Sequence, residues 1–364
     1  MLQRLTLREI RGTAVSVPMR RPLATSAQTI RNAPLLLIDL VTEEGVVGHS
    51  YLFCYVPSAA GALLKVLEEV STTLKGAPVA PLEIAAKLAR QYKLIGVRGI
   101  VSMVIAGVDV ACWDALAIAA QAPLATILGS SPKPIPTYNS NGLGLIDPAA
   151  VADEAMELVA EGFRGVKLRL GRHTLEADMA ALRAVRAALP EDIALMVDFN
   201  QALTLAEARR RGCAIDEAQG VYWIEEPIRH DDYVGYAALK DELATPIQLG
   251  ENFQGATAMA DAIAAQAGDF MMPDLERIGG VTGWLRAAAH ASAAGIEMSS
   301  HLFPEVSAHL LAATPTAHWL EYVDWANPIL ASPMTIGDGA AMASEVPGTG
   351  LQWNDDAVAQ YRIA

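Results

Sequence analysis

A chain of 364 residues, 52% hydrophobic and 19% charged, carries enough apolar material for a large core, and its composition is not that of a disordered segment. Its formal net charge of −14 disfavours nucleic acid or an anionic membrane surface as partner, yet leaves room for an anionic small molecule where local lysines dominate a pocket. The three cysteines, Cys54, Cys112 and Cys213, lie in dissimilar contexts without a CxxC spacing, which points to a reducing, cytoplasmic compartment and no zinc site.

The opening stretch, MLQRLTLREIRGTAVSV, alternates apolar and charged positions as a strand does and has no apolar run of the signal-peptide kind. LREIRGTAVSVPM and PLLLIDLVTEEGVVGHSYL predict strands, the second folding back at residues 43–45. Between them, residues 19–30 include Pro22, Thr25 and Ser26, fit neither period, and read as a loop able to close over a site. Helices are predicted over 58–74, 81–92 and 101–120. The last is Ala-rich, and Asp109 and Asp114 mark it as a buried amphipathic helix rather than a membrane span. Residues 1–132 thus read as an α+β unit.

After Lys133 the pattern changes to short apolar runs alternating with Ala-rich helices. PIPTYNS, GVKLRLG, ALMVDFN, VYWIEEP, IQLGEN, FMMPDL, EMSSHL and HWLEY make eight candidate strands. Eight strands with helices between them predict an α/β fold, a (β/α) barrel of modified TIM type over 133–322, capped by the first unit. Residues 323–364 are Pro- and Gly-rich and are expected to pack back on the cap.

In such a barrel the C-terminal strand ends share one rim and carry chemistry. They hold Ser140, then Lys167 and Arg169 two apart on one face, Asp198 and Asn200 likewise, then Glu225, Glu251, Asp274, His301 and Glu321. Glu226 points away from Glu225 and reads as structural. Any one of these alone is an ordinary rim residue, and Asp274 alone fits a helix N-cap. Together they read otherwise. Asp198, Glu225 and Glu251 would repel one another at one rim unless a cation sat between them, and oxygen-only ligands suit a hard divalent ion such as Mg2+, with Mn2+ possible.

The residues KLR, VDFN, IEEP, GEN, PD and SSHL, together with SYLF, IGGVTGW and AHLLAATPTAHWLE, resemble the mandelate racemase subgroup of the enolase superfamily almost end to end. The resemblance implies metal ligands at Asp198, Glu225 and Glu251, and a base at His301 oriented by Asp274. It implies that Lys167 neutralises the substrate carboxylate, that Glu321 acts as an acid hydrogen-bonded to that carboxylate, and that Ser140 and Asn200 make polar contacts. It places Leu23, Thr25, Ile30, Tyr55, Leu94, Leu302 and Val323 around the substrate side chain, a mostly apolar set that suits an aryl or alkyl group. It further implies a small carboxylate substrate and a homo-oligomer. The chemistry is coherent. Removing a proton α to a carboxylate makes an enediolate, which a divalent ion, a lysine and an acid would stabilise electrostatically.

One position departs from the pattern. Racemases of this subgroup carry Lys-x-Lys on the second strand, where this chain has Lys167-Leu168-Arg169. A guanidinium is neutral to about 10⁻⁵ or less near pH 7, and each tenfold loss of reactive form adds about 1.4 kcal/mol to a barrier. Two readings stay open. The resemblance favours a racemase of an aryl or alkyl α-hydroxy acid, with Arg169 as a poor base or a cationic clamp. The alternative is a one-base dehydratase, with His301–Asp274 acting alone on an acid sugar or hydroxy acid to give a 2-keto acid. A non-catalytic binder would have lost more than one position. A muconate-lactonizing site would need a lysine at the sixth strand end, where the chain has Met271-Met272-Pro273-Asp274.

Overall fold

The computed structural model describes residues 4–26 and 28–363. Residues 1–3 at the start of the expected first strand, residue 27 in the expected 19–30 loop, and residue 364 lie outside the described residues.

The N-terminal unit is a three-stranded antiparallel sheet, β1 (Leu7–Ala24), β2 (Thr29–Thr42) and β3 (Val47–Phe53), followed by helices α1 (Pro57–Leu74), α2 (Pro81–Gln91) and α3 (Ile100–Ala119). Residues 19–24 and 29–30, read from sequence as loop, are instead the far ends of β1 and β2. Leu23 pairs with Ile30 and Ala24 with Thr29 beyond a register shift, so only the tip turns. The irregularity that hid the strands from the alternation test is that shift. α3 is buried along most of its length, which explains a helix apolar enough to resemble a membrane span. It lies so close to β3 that a Cβ on Gly48 would stand 2.1 Å from the Ala111 carbonyl oxygen, so only glycine fits there.

The short helix α4 (Leu124–Ile127) leads into the barrel strands β4 (Pro134–Asn139), β5 (Gly165–Arg169), β6 (Ala194–Asp198), β7 (Ile224–Glu225), β8 (Ile247–Leu249), β9 (Phe270–Met271), β10 (Glu297–Met298) and β11 (Leu320–Tyr322). β4 to β10 pair in sequence order, all parallel, and β11 pairs with β4. A parallel bridge between Met298 and Ala317 closes the ring. The outer helices are α5 (Pro148–Ala160), α6 (Leu175–Ala188), α7 (Leu205–Ala218), α8 (Tyr233–Glu242), α9 (Ala256–Ala264), the pair α10 (Leu275–Ile278) and α11 (Gly280–Ala294), and α12 (Pro304–Ala312). All eight expected strands form, several of them shorter than their apolar runs. β7, for example, stops where Glu226 turns to φ +36° ahead of Pro227.

A final hairpin, β12 (Ile336–Gly337) and β13 (Ala340–Met342), adds antiparallel to β4. The chain then returns to the cap. Trp353 Nε1 donates to Asp39 at 2.8 Å, and α13 (Asp355–Tyr361) ends beside β1, where Ile363 N donates to the Ala14 carbonyl at 2.9 Å.

Candidate active site

The hairpin tip of the cap lies over the C-terminal strand ends and encloses a cavity of about 220 Å³. Lys167, Arg169, Asp198, Asn200, Glu251, His301 and Glu321 from the barrel line it, and Leu23, Thr25, Ile30 and Tyr55 from the cap face them, with Leu302. The backbone around this cavity is strained. Tyr55, Asn200, Glu226 and Leu302 all have φ between +36° and +59°, a region uncommon outside glycine and often found at functional sites.

Asp198, Glu225 and Glu251 present one oxygen each, all within 4.8 Å of one another. The carboxylates of Asp198 and Glu225 are buried. Burial first, then the crowding of Asp198, Glu321 and Glu251 against it, pushes Glu225 up to about 8 although Lys167 pulls it down. Three carboxylates so close concentrate negative charge at one spot, the disposition that a divalent cation relieves. The donor set is all oxygen, which fits a hard ion such as Mg2+.

Lys167 is almost fully buried. Its Nζ lies 2.7 Å from Glu225, 2.7 Å from Glu321 and 3.4 Å from Asp198. Burial alone would discharge it, but Glu225 and Glu321 outweigh that and hold it above the usual lysine range. Burial would likewise raise Glu321, but Lys167 and then His301 hold it well below the usual carboxylate range. Both cations favour the carboxylate form of Glu321, whereas the resemblance implies that it acts as an acid. It accepts from the Leu302 backbone N–H at 2.9 Å.

His301 Nδ1 lies 2.7 Å from Asp274 Oδ2, which leaves Nε2 facing the cavity, 3.2 Å from Glu251. Burial opposes charge on this ring, but Glu251, Glu321 and Asp274 push its pKa up to about 10. Across the barrel, Arg169 Nη1 donates to the Gly142 carbonyl at 2.7 Å, and Nη2 donates to the carbonyl and hydroxyl of Ser140 at 3.0 and 3.2 Å.

Three expectations for individual residues are corrected. Ser140 is fully buried, and its hydroxyl is taken by Arg169 instead of reaching the cavity. Leu94 is 98% exposed in the turn after α2, away from the cavity. Val323 faces a separate small void with Leu35, Tyr51 and Phe303. Asp274 is not on the wall but behind His301, where it also caps α10, so both readings of that residue describe it. Glu226 is buried and accepts from Asn252 Nδ2 at 3.0 Å.

Sequence reasoning missed Arg277, Asn252, Gln201, Phe53 and Trp325, all on the wall. Most lie one to three residues beyond a strand-end residue already singled out. In a barrel those positions border the same mouth, and that proximity was the available signal.

Comparison with known proteins agrees with this architecture. Residues 8–129 match the mandelate racemase / muconate lactonizing enzyme N-terminal domain, and residues 150–357 match the enolase C-terminal domain-like family. An enolase from the alpha proteobacterium bal199, crystallised with bound Mg, is 48% identical, with 99% of this chain and 100% of that one covered and a TM-score of 0.96. An enolase from Bradyrhizobium, complexed with magnesium and mandelic acid, is 42% identical over 100% of both chains, with a TM-score of 0.95. The L-talarate/galactarate dehydratase of Salmonella typhimurium is 30% identical over 94% of this chain and 86% of its own length. More distant relatives include racemases and epimerases as well as cycloisomerases. The chain is an enzyme of the enolase superfamily and belongs to its mandelate racemase / muconate lactonizing enzyme family.

Proposed function

We propose that this chain is a Mg2+-dependent, one-base enzyme that dehydrates an α,β-dihydroxy carboxylate to a 2-keto acid. One observation carries the reading. Arg169, at the position where a second base would stand, spends both terminal nitrogens on three neutral oxygen acceptors, and a guanidinium is a far poorer base than the amine of a lysine. That leaves His301 as the single base within reach of the α-carbon.

Asp198, Glu225 and Glu251 would hold the ion, which supplies positive charge beside the oxygens of the enediolate. Lys167 neutralises the substrate carboxylate by turning part of its bonding from Glu321 to the substrate. With Glu251 committed to the ion, the largest push that keeps His301 protonated is offset, so the neutral Nε2 takes the α-proton, and the C–H electron pair moves into the carboxylate. As that pair returns to form the C2–C3 double bond, the β-hydroxyl leaves. His301 Nε2–H protonates it, so water departs and the enol becomes the 2-keto acid by tautomerisation. Asp274 keeps the Nδ1 proton in place throughout, so the same nitrogen serves as base and then as acid.

A second reading, an aryl α-hydroxy acid racemase, is supported by the apolar residues Leu23, Ile30, Phe53, Leu302 and Trp325 on the wall. The 42%-identical neighbour bound to mandelic acid also supports it. Proton NMR in D2O with Mg2+ separates the two. The dehydratase reading expects a keto acid from an acid sugar, and α-deuterium in at most one mandelate enantiomer. Exchange into both enantiomers would replace it with the racemase.

A further inference from the structure

Trp223 stands two residues before Glu225, so on an extended segment the two side chains share one side. The indole is fully buried and packs with Tyr138 of β4 and Met196 of β6. The rings of Tyr138 and Tyr222 meet it edge-on, with centroids 5.5 and 5.3 Å away. An indole carries one N–H donor and no acceptor, and a buried donor needs a partner. Here the partner is a carboxylate of the candidate metal site. Trp223 Nε1 donates to Glu225 Oε2 at 3.2 Å, while the other oxygen, Oε1, lies 2.7 Å from Lys167 Nζ.

Glu225 is thus held at both oxygens, by groups of different kinds. Lys167 is shared with Glu321 and Asp198, and in the proposed chemistry it turns toward the substrate. Trp223 has a single N–H, aimed at Glu225, and the aromatic rings on its flanks fix its plane. A group that hydrogen-bonds a metal ligand orients it, and removing such a group typically weakens metal binding about 10- to 100-fold.

We propose that Trp223 is a positioning residue for the metal, its N–H keeping the Glu225 carboxylate turned toward Asp198 and Glu251 even as Lys167 turns to the substrate. The inference rests on Asp198, Glu225 and Glu251 as the Mg2+ ligands and holds for a dehydratase and a racemase alike.

The test is calorimetric titration of the whole protein with Mg2+. Trp223→Phe, which keeps an aromatic ring and loses the N–H, should bind Mg2+ at least about tenfold more weakly. Trp284→Phe is the control. Trp284 is equally buried and donates to Thr314 Oγ1 at 3.0 Å, so the variant loses a comparable hydrogen bond whose acceptor is not a metal ligand. Its Mg2+ affinity should stay within about threefold of wild type. NMR of protein with isotope-labelled tryptophan gives a second readout. One of the six indole N–H signals, the one missing from Trp223→Phe, should move upfield when Mg2+ draws charge from the accepting carboxylate, and return with a chelator. If Trp223→Phe does not fold, replacing the other five tryptophans one at a time assigns that signal by elimination. An affinity unchanged in Trp223→Phe, a loss matched by Trp284→Phe, or an indole signal indifferent to Mg2+ overturns the assignment. A merely structural role would lower Tm in both variants and leave Mg2+ affinity alone in both. No Mg2+ binding by the wild type would remove the metal assignment and the proposed function with it, whereas binding indifferent to Trp223 removes this inference alone.

Discussion

Asp274 holds His301 with one carboxylate oxygen and a helix start with the other. Its Oδ2 lies 2.7 Å from the imidazole Nδ1, and its Oδ1 accepts the backbone amides of Glu276 and Arg277 at 2.8 and 3.1 Å. The cap fixes the carboxylate, and the carboxylate fixes the ring. Asp274→Asn should invert this, because an amide N–H facing Nδ1 would shift the ring proton to Nε2 and leave no base. We expect kcat to fall about 10³-fold or more, with the folded structure intact by circular dichroism. Activity within tenfold of wild type would refute the orientation argument.

His301→Asn should remove turnover altogether while Mg2+ affinity, read by calorimetry, stays within about threefold. General-base loss alone is worth about 10² to 10⁴ in rate. A variant that still exchanges the α-proton would mean that another group is the base.

Arg169→Lys should open the second face. A lysine between the Gly142 and Ser140 oxygens can be deprotonated far more readily than a guanidinium. We expect α-deuterium to enter the otherwise silent mandelate enantiomer at least about tenfold faster than in wild type. No gain would mean that the surrounding acceptors keep the lysine charged.

Mg2+ should stabilise the fold, because it relieves the crowding of Asp198, Glu225 and Glu251. At 100 times its Kd the gain is about 2.7 kcal/mol, visible as a rise in Tm that a chelator reverses. Gly250→Ala should blunt that rise. Gly250 has φ +140°, a Cβ there would meet the Met272 amide nitrogen at 2.8 Å, and the next residue is Glu251. An unchanged Tm on adding Mg2+ would contradict the metal assignment.

Acid should weaken the protein through His309. It is buried, accepts from the Ala125 amide at 3.1 Å, and has its Nε2 3.1 Å from the Thr349 carbonyl. Burial holds its pKa down to about 4. The folded value lies below the ordinary one of about 6.5, so the unfolded chain binds the proton first. The contribution is complete above about pH 6.5 and is lost as pH falls toward 4, amounting to about 2 kcal/mol between pH 7.5 and 5. Urea unfolding at the two pH values should show this loss in wild type and a smaller one in His309→Asn. Equal losses would assign the acid sensitivity elsewhere.

The convergence of Asp198, Glu225, Glu251 and His301 could be read from the sequence because a parallel barrel turns strand-end spacing directly into shared position. Leu94 could not, since an apolar residue in a turn carries no periodicity to say which way it faces. The 19–30 hairpin was hidden by a register shift, and Arg277 by its distance past a strand end that already had a use. The charge on Glu321 was hidden for a different reason. It depends on Lys167 reaching it past β4, a pairing between β5 and β11 that no local pattern encodes.

The tip formed by Leu23, Thr25, Gln28 and Ile30 belongs to the first 30 residues of the chain, whereas every acid and base on the rim comes after residue 166. The cap's share of the wall and the reactive groups are therefore written in separate stretches of the gene. A descendant could acquire a new diet by editing one short ribbon while inheriting its reactive apparatus untouched.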